Sequence, residues 1–175
     1  MGLMYEVDER DEVEQLEDVP QSAIGAPIPL VIADEHRTVL AYYMENRSPE
    51  WDGSTVRILD AVTSNEPVAL IRFEACIAHF LGPPNDEAFE GHPLESRGLQ
   101  PYAAFRIKDS SWIRRLERMN SVHEHHRPEK FFRLQHFIFA FHDSTFECIC
   151  RGFDVRTATG SIHSMIPEMV RLLHA

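Results

Sequence analysis

The chain has little lysine, few cysteines and no long apolar run. Only 2 of its 17 basic residues are lysines, and its three cysteines are an odd number. No stretch approaches the ~18 apolar residues of a membrane-spanning helix. The N-terminus shows no basic region followed by an apolar run, which argues against a secretory signal. We therefore expect a cytoplasmic protein without membrane segments, in which the cysteines are buried free thiols.

Several signatures of common enzyme classes are also missing. The chain contains no Gly-x-Ser-x-Gly, no phosphate-binding glycine loop, no dinucleotide fingerprint and no Cys-x-x-Cys pair. These absences remove the most familiar routes to hydrolysis, nucleotide chemistry and thiol redox chemistry. Any catalysis would depend on a less familiar arrangement of residues.

Negative charge dominates the composition, with 28 acidic residues against 17 basic ones and a formal net charge of −11. Nucleic-acid binding depends on neutralising phosphates with Lys and Arg, so we expect no nucleic-acid partner. The same balance disfavours an anionic membrane surface and suits a basic protein partner. Residues 1–20 hold eight carboxylates and the single Arg10. They are predicted to form a disordered acidic arm, with a marginal helix over 11–18 as the alternative.

Residues 21–175 are predicted to form a single globular domain of the α+β class. Runs of β-branched and aromatic residues predict strands over 28–33, 38–45, 55–61, 68–81, 102–108 and a hairpin over 134–153. Helical periodicity predicts helices over 111–121 and 165–173. Most connections are too short for parallel crossovers. The expected architecture is a mostly antiparallel sheet with two main helices packed against it.

Residues 68–81 fit either a strand or a helix. Alternation would place Ala69, Ile71 and Phe73 on one face of a strand. Pro67 in a first turn and Gly82 after the last turn would instead mark the start and the end of a helix. The alternation favours the strand.

The 134–153 hairpin separates an apolar face from a mixed face. If the hairpin turns about Asp143 and Ser144, alternation assigns its residues to faces and to cross-strand partners. The apolar pairs are Phe141–Phe146, Phe139–Cys148 and Phe137–Cys150. The mixed face carries His142, Glu147, His136 and Arg151. The apolar face is predicted to enter the core.

His142 and Glu147, diagonal neighbours in this hairpin, are candidate catalytic residues. A carboxylate beside an imidazole orients the ring and stabilises its charged form, as general acid–base catalysis requires. Asp143 at the turn could contribute, and Arg151 is a candidate binding residue on the same face. The structural alternative is that His142 and Glu147 only bond each other at the sheet edge, while Asp143 closes the turn.

The polar connection over 82–101 supplies a second set of candidates. Asn85 is predicted to cap a short helical turn, with Asp86 and Glu87 at its positive end. Together with His92 these are candidate binding residues, and loops of this length are often functional or disordered. Asp86, Glu87 and His92 could bind a divalent cation, with His142 as a further ligand if the loop reaches the hairpin. The alternative is a capped turn with a solvated His92, and the sequence requires no cofactor.

Three short segments resemble an uncharacterised family of small bacterial proteins. They are Gly82-Pro83-Pro84-Asn85-Asp86-Glu87 running to Gly91-His92-Pro93-Leu94, then Asn120-Ser121-Val122-His123, then Phe141-His142-Asp143-Ser144-Thr145-Phe146-Glu147. They span the middle and C-terminal two-thirds of the chain. The resemblance implies a bacterial origin and attaches no activity.

Small size, acidity and the missing signatures favour a binding function. We expect an immunity- or antitoxin-like module that neutralises a basic protein. The alternative is a hydrolase-like enzyme, with or without a metal, whose His142/Glu147 site is completed by Asp86, Glu87 and His92. A small-ligand sensor with a pocket between sheet and loop is a third hypothesis. The enzyme hypothesis requires that the 82–101 loop contact the hairpin in a concave site.

Overall fold

Two antiparallel sheets and two helices make up the residues that the computed structural model describes, which are 5–46 and 58–175. In chain order the strands are β1 (Glu12–Gln15), β2 (Leu30–Ala33), β3 (Thr38–Tyr43), β4 (Glu66–Glu74), β5 (Ala78–Gly82), β6 (Ala104–Lys108), β7 (Gln135–Ala140), β8 (Thr145–Cys150) and β9 (Gly152–Gly160). The helices are α1 (Ser111–Asn120) and α2 (Ile166–Leu173), with short 3-10 turns at Asp86–Gly91, Glu95–Arg97, Pro128–Lys130 and His163–Met165. The five-stranded sheet has the order β1-β6-β7-β8-β5, and the four-stranded sheet has the order β2-β3-β4-β9. The predicted α+β class is confirmed.

The two sheets face each other across an aromatic layer. Phe73 of β4 packs its ring against Phe139 of β7 and Phe146 of β8, with centroids 5.7 and 5.3 Å apart. Cys148 and Cys150 lie in the same layer and are free thiols, as predicted. Aromatic rings bury a large apolar area and gain from edge-to-face contacts, so this layer is the main core.

The outer face of each sheet is covered by a different kind of structure. Helix α2 packs Met169 and Leu172 against the outer face of the four-stranded sheet. The 82–101 loop covers part of the five-stranded sheet, with Phe89 and Leu94 buried against it. Tyr5 and Trp112 cover another part of the same face, and their rings stack 5.5 Å apart. His136 and Glu147, on the mixed face of the hairpin, therefore lie beneath a covering layer rather than on a bare sheet.

A single two-stranded ribbon, β4–β5 paired with β9–β8, passes from one sheet to the other. Residues 75–77 stand against only residues 150–151 where the ribbon bends, which is a β-bulge. Ala75 adopts a positive φ of 47° there, and the Arg151 N–H donates to the Glu74 carbonyl at 2.8 Å. The strand interpretation of 68–81 is thus correct, but the segment is two strands in two sheets.

The predicted faces of the 134–153 hairpin are correct, and the predicted partners are wrong. Phe139 lies opposite Phe146, and Phe137 lies opposite Cys148. The connection is a four-residue loop, 141–144, closed by the Phe141 N–H on the Ser144 carbonyl at 2.8 Å. A shift of two residues changes every partner yet leaves each side chain on its face, because side chains alternate with period two.

Residues 5–20 do not form the disordered arm or marginal helix that the sequence suggested. Residues 12–15 form β1, which pairs with β6 at the edge of the five-stranded sheet. Asp11 is 2% exposed, and its carboxylate accepts a bond from the Ser111 N–H. The repulsion expected among the acidic residues is offset by cations from elsewhere in the chain, such as Arg106 and Lys108 on Glu14.

Two further differences concern strands. Most of the loop over 46–54 and the first part of the strand predicted over 55–61 lie outside the described residues, while residues 58–61 are not strand. Strand β9 was not predicted, because the hairpin was expected to end at residue 153. Within the residues described, no helix has the length and apolar character needed to cross a bilayer.

Candidate functional site

The 82–101 loop folds onto the β7–β8 hairpin. The Asp86 N–H donates to the His142 carbonyl at 2.9 Å, and the Thr145 hydroxyl donates to the Pro84 carbonyl at 2.9 Å. Asn85 caps the first 3-10 turn as predicted, accepting from the Ala88 N–H at 3.1 Å. This docking creates two hydrogen-bonded groups, which we call the buried cluster and the surface cluster. The buried cluster consists of Tyr5, His92, Ser110, His136 and Glu147, and the surface cluster consists of Asp86, Tyr102 and His142.

The buried cluster is centred on the Glu147 carboxylate, whose side chain is 5% exposed. His92 places Nε2 3.1 Å from Oε1, and His136 places Nε2 3.0 Å from Oε2. The Tyr5 hydroxyl donates to Oε2 at 2.7 Å. Three segments far apart in sequence therefore converge on one side chain of β8.

The neighbours of the two imidazoles fix where their protons lie. The Leu94 N–H donates to His92 Nδ1 at 3.1 Å, so the proton of a neutral His92 ring is on Nε2 and points at Glu147. The Ser110 hydroxyl lies 2.9 Å from His136 Nδ1 and accepts from the Ile113 N–H as the cap of α1. Its own hydrogen is free for His136 Nδ1. Both rings thus donate Nε2–H to one carboxylate.

Hydrogen bonding keeps Glu147 ionised in spite of its burial. Burial alone would raise the pKa of this carboxyl, but the bonds from His136 and His92 outweigh it and lower the pKa to about 2. Burial and the adjacent Glu147 raise the pKa of Tyr5 far above its ordinary value. The cluster is therefore one buried carboxylate with three hydrogen-bond donors, a satisfied network that suits structural stabilisation better than catalysis.

The proton positions also argue against a metal at Glu147. A metal-ligating histidine donates its second ring N–H to an acceptor, whereas His92 Nδ1 accepts a backbone N–H. Across the described ranges, no group of three or more His, Cys, Asp or Glu side chains is arranged to hold a metal ion. The four predicted metal candidates are divided, with His92 in the buried cluster, Asp86 and His142 in the surface cluster, and Glu87 exposed outside both.

The surface cluster joins the loop, the hairpin tip and Tyr102, which lies two residues before β6. Asp86 Oδ2 lies 2.9 Å from His142 Nδ1 and also accepts the Tyr102 hydroxyl. The Tyr102 oxygen is 2.9 Å from the same Nδ1, and the two rings stack with centroids 6.2 Å apart. Tyr102 has a positive φ of 62°, a strained conformation for a bulky residue. The His142 side chain is 36% exposed.

The hydrogen bonds of the surface cluster use only one of the two nitrogens of the His142 ring. The Tyr102 hydroxyl and His142 lower the pKa of Asp86, and burial together with Asp86 raises the pKa of Tyr102 to about 12. Because the phenol donates to Asp86, the His142 proton lies on Nδ1, toward the same carboxylate. Among the described residues, His142 Nε2 then makes no hydrogen bond, and it lies 3.8 Å from Asp143 Oδ1.

The predicted catalytic pair does not form. Among the described residues, His142 and Glu147 share no hydrogen bond or ion pair, because the four-residue loop moves His142 beyond the paired part of the hairpin. Asp143 is exposed at the tip. Arg151 is held by its backbone at the bend between the sheets, where its N–H donates to the Glu74 carbonyl and its carbonyl accepts from the Gln135 side chain. The loop does reach the hairpin, but it completes two separate clusters.

Sequence reasoning missed Tyr5, Tyr102 and Ser110 and treated His136 only as a neighbour. Alternation did place His136 on the face of Glu147, and this was the one available signal. Tyr5 and Tyr102 carry no pattern that points to a polar site. Both reach their clusters through contacts that span 142 and 40 residues of sequence, respectively.

A large concave region lies elsewhere on the described surface. It is a groove of about 590 Å³ lined by the end of β6, the start of α1 and the segment around Phe132. No residue of the surface cluster lines this groove or the much smaller cavity of about 30 Å³ beside Tyr42. The concave site that the enzyme hypothesis requires is not provided by either of them.

Comparison with family models, with curated proteins and with solved structures gives no match for this chain. The resemblance to a bacterial family therefore stays a prediction. The functional argument depends on the chemistry of the two clusters and of the surface around them.

Proposed function

We propose that the protein is a binding module for a basic protein partner, which docks on the edge formed by the 82–101 loop and the hairpin tip. The acidic rim, defined as Asp86, Glu87, Glu90 and Asp143, carries the proposal. Residues 73–96 and 134–150, which supply the rim, contain no Lys or Arg. Among the described residues, no rim carboxylate is in an ion pair with Lys or Arg. Within the described residues, this edge therefore presents negative charge that no Lys or Arg balances.

Three of the eight N-terminal carboxylates, those of Asp8, Asp11 and Glu14, are used within the fold, and the other five are exposed. Asp8 lies 2.8 Å from Arg10 and 2.7 Å from Arg114. Glu14 is bridged by Arg106 and Lys108. Complementary charge steers association and rejects partners of the wrong sign.

Tyr102 and His142 give the rim an ordered centre. Their rings are stacked, hydrogen-bonded to Asp86 and partly exposed. Tyrosine is enriched among the residues that dominate interface energies, and a side chain already held in place loses less entropy on binding. A cationic partner would meet carboxylates around two fixed rings.

A charge-reversal experiment tests this proposal. Tagged protein is used to capture partners from lysate of its source organism, at low and high ionic strength. The double variant Glu87→Lys, Asp143→Lys reverses the charge at two positions of the rim. The control double variant Glu124→Lys, Glu129→Lys makes the same charge change at exposed positions after α1. We expect the wild type and the control to capture the same basic protein, with at least a roughly tenfold loss for the rim variant. Equal loss in both variants would reduce the effect to net charge, and capture unaffected by rim reversal would overturn the proposal.

A second candidate, a hydrolase-like enzyme, is favoured by the free Nε2 of His142. In that case Nε2 would take a proton from a water molecule attacking a carbonyl, and Asp86 would stabilise the resulting imidazolium. Hydrolysis of p-nitrophenyl acetate by the wild type is compared with that by His142→Ala and by His125→Ala, which removes an exposed imidazole. A His142-specific loss of about 100-fold supports the enzyme. Equal, small losses in both variants would eliminate this candidate.

A further inference from the structure

Strand β9 is a long edge strand, and we propose that the chain forms a dimer by antiparallel pairing of β9 with β9 of a second copy. It has nine residues, whereas the other edge strands β1, β2 and β5 have four, four and five. Among the described residues, β9 pairs only with β4. Proteins commonly protect such edges against pairing with another chain by Pro, Lys, bulges or short length. Strand β9 contains neither Pro nor Lys.

The hydrogen-bond pattern of the sheet shows which β9 groups face outward. The Met44 N–H donates to the Pro67 carbonyl at 2.9 Å, so odd-numbered residues of β4 direct their backbone groups toward β3. Even-numbered residues of β4 then bond β9, where their partners are also even-numbered. The N–H and C=O groups of Phe153, Val155, Thr157 and Thr159 therefore point away from β4. They form a row ready to pair with another strand.

Charge along the strand selects self-pairing and sets its register. Antiparallel pairing centred on Val155 places Asp154 of each copy opposite Arg156 of the other, which gives two ion pairs across the dimer axis. Centring the pair on Arg156 or on Asp154 would instead set like charges opposite each other. The two side chains are 61% and 54% exposed, so both are accessible to a second copy.

Contacts within one copy hold these two side chains over the strand. Asp154 lies 3.2 Å from Arg72, and Arg156 lies 3.9 Å from Glu168. Pairing two β9 strands would join the four-stranded sheets into one continuous sheet of eight strands. The proposal is independent of the acidic rim, which belongs to the loop and the hairpin of the other sheet.

The test measures the mass of the full chain in solution by sedimentation velocity over a range of concentrations. We expect the wild type to dimerise. Val155→Pro removes an outward N–H and no bond to β4, so it should give a folded monomer. Asp154→Arg alone and Arg156→Asp alone place like charges opposite each other and should also be monomeric.

Sedimentation velocity of a mixture of the Asp154→Arg and Arg156→Asp variants is the decisive measurement. One copy with arginines at both positions faces one with aspartates at both, so attraction returns and a heterodimer should form. Thermal unfolding of each variant confirms that the monomers are folded. A monomeric wild type at all concentrations, a dimer that Val155→Pro leaves unchanged, or folded variants that fail to associate when mixed would each overturn the proposal.

Discussion

The buried cluster and the surface cluster use the same chemical groups at different depths. Each contains a carboxylate, imidazole and a tyrosine hydroxyl. In the buried cluster the side chains of His92 and His136 are 1% and 0% exposed, and every ring nitrogen has a partner. In the surface cluster the His142 side chain is 36% exposed, and among the described residues Nε2 makes no hydrogen bond and lies 3.8 Å from Asp143 Oδ1. Burial thus distinguishes the two clusters. The buried cluster needs a hydrogen-bond partner for every polar atom, whereas the surface cluster does not.

The difference follows from the cost of desolvation. A buried polar group without a partner costs more than its bond contributes, so a buried network is stable only when all its members are satisfied. Water satisfies a half-exposed group instead, and that group stays available to a partner or a substrate. We therefore expect the buried cluster to control stability and the surface cluster to control binding. Four predictions test this division.

The largest effect is expected for Glu147→Ala. The change removes the acceptor for Tyr5, His92 and His136 together and leaves three buried donors unpaired. The free energy of unfolding should fall by about 3–5 kcal/mol, as measured by urea denaturation. Asp86→Ala is the matched variant in the surface cluster, and its effect should be far smaller. Similar losses for both variants would remove the distinction between the clusters.

The second prediction concerns acid. The folded-state pKa of Glu147 is about 2, below the ordinary value of 4.5, so its stabilisation is present above pH 4.5 and is lost as the pH falls through 2. Linkage gives a loss of roughly 3 kcal/mol across this window. Urea unfolding at a series of pH values should therefore show a steeper acid loss for the wild type than for Glu147→Gln. Asp86→Asn should leave most of the steepness in place, and parallel curves for the wild type and Glu147→Gln would contradict the assignment.

The sequence predicts the faces of the hairpin better than its partners, for a simple geometric reason. Alternation assigns Phe139 and Cys148 to the core whatever the loop length, provided that the register moves by two residues. The partners depend on how the loop closes, and the Phe141–Ser144 bond that closes it has no sequence signature. The His142–Glu147 pairing failed on this point, and the sequence does not decide whether the 82–101 loop contacts the hairpin.

Long-range contacts account for the rest of the difference. From the sequence alone, the carboxylates of residues 5–20 are expected to repel one another. Their cationic partners Arg106, Lys108 and Arg114 lie about a hundred residues away in the chain, so the local sequence does not show them. Strand β9 was missed because Arg151-Gly152 resembles the end of a hairpin, whereas the chain bends there into the other sheet. The residue with positive φ at that bend is Ala75, and an alanine gives no warning of such a conformation.

The third prediction separates the hydroxyl of Tyr5 from its ring. Tyr5→Phe keeps the stacking on Trp112 and removes the hydrogen bond to Glu147. The free energy of unfolding should therefore fall by about 1.5–3 kcal/mol. Tyr42→Phe is the matched control, because the Tyr42 hydroxyl donates to the neutral Pro20 carbonyl at 2.7 Å. Its loss should be smaller, about 1 kcal/mol. An equal or larger loss for Tyr42→Phe in urea denaturation would argue that the charge on Glu147 adds nothing.

The smallest effect on stability is expected for Tyr102→Phe, the corresponding change in the surface cluster. The Tyr102 hydroxyl is the main cause of the lowered Asp86 pKa, so this variant should raise that pKa toward its ordinary value. Carboxyl carbon NMR titration measures the change directly, with Tyr42→Phe as a variant that should leave Asp86 unaffected. The urea midpoint should scarcely move, because water can replace the lost bond at a half-exposed site. If instead stability fell as far as in Tyr5→Phe, depth would not be what separates the two clusters, and the surface cluster would be a second structural anchor.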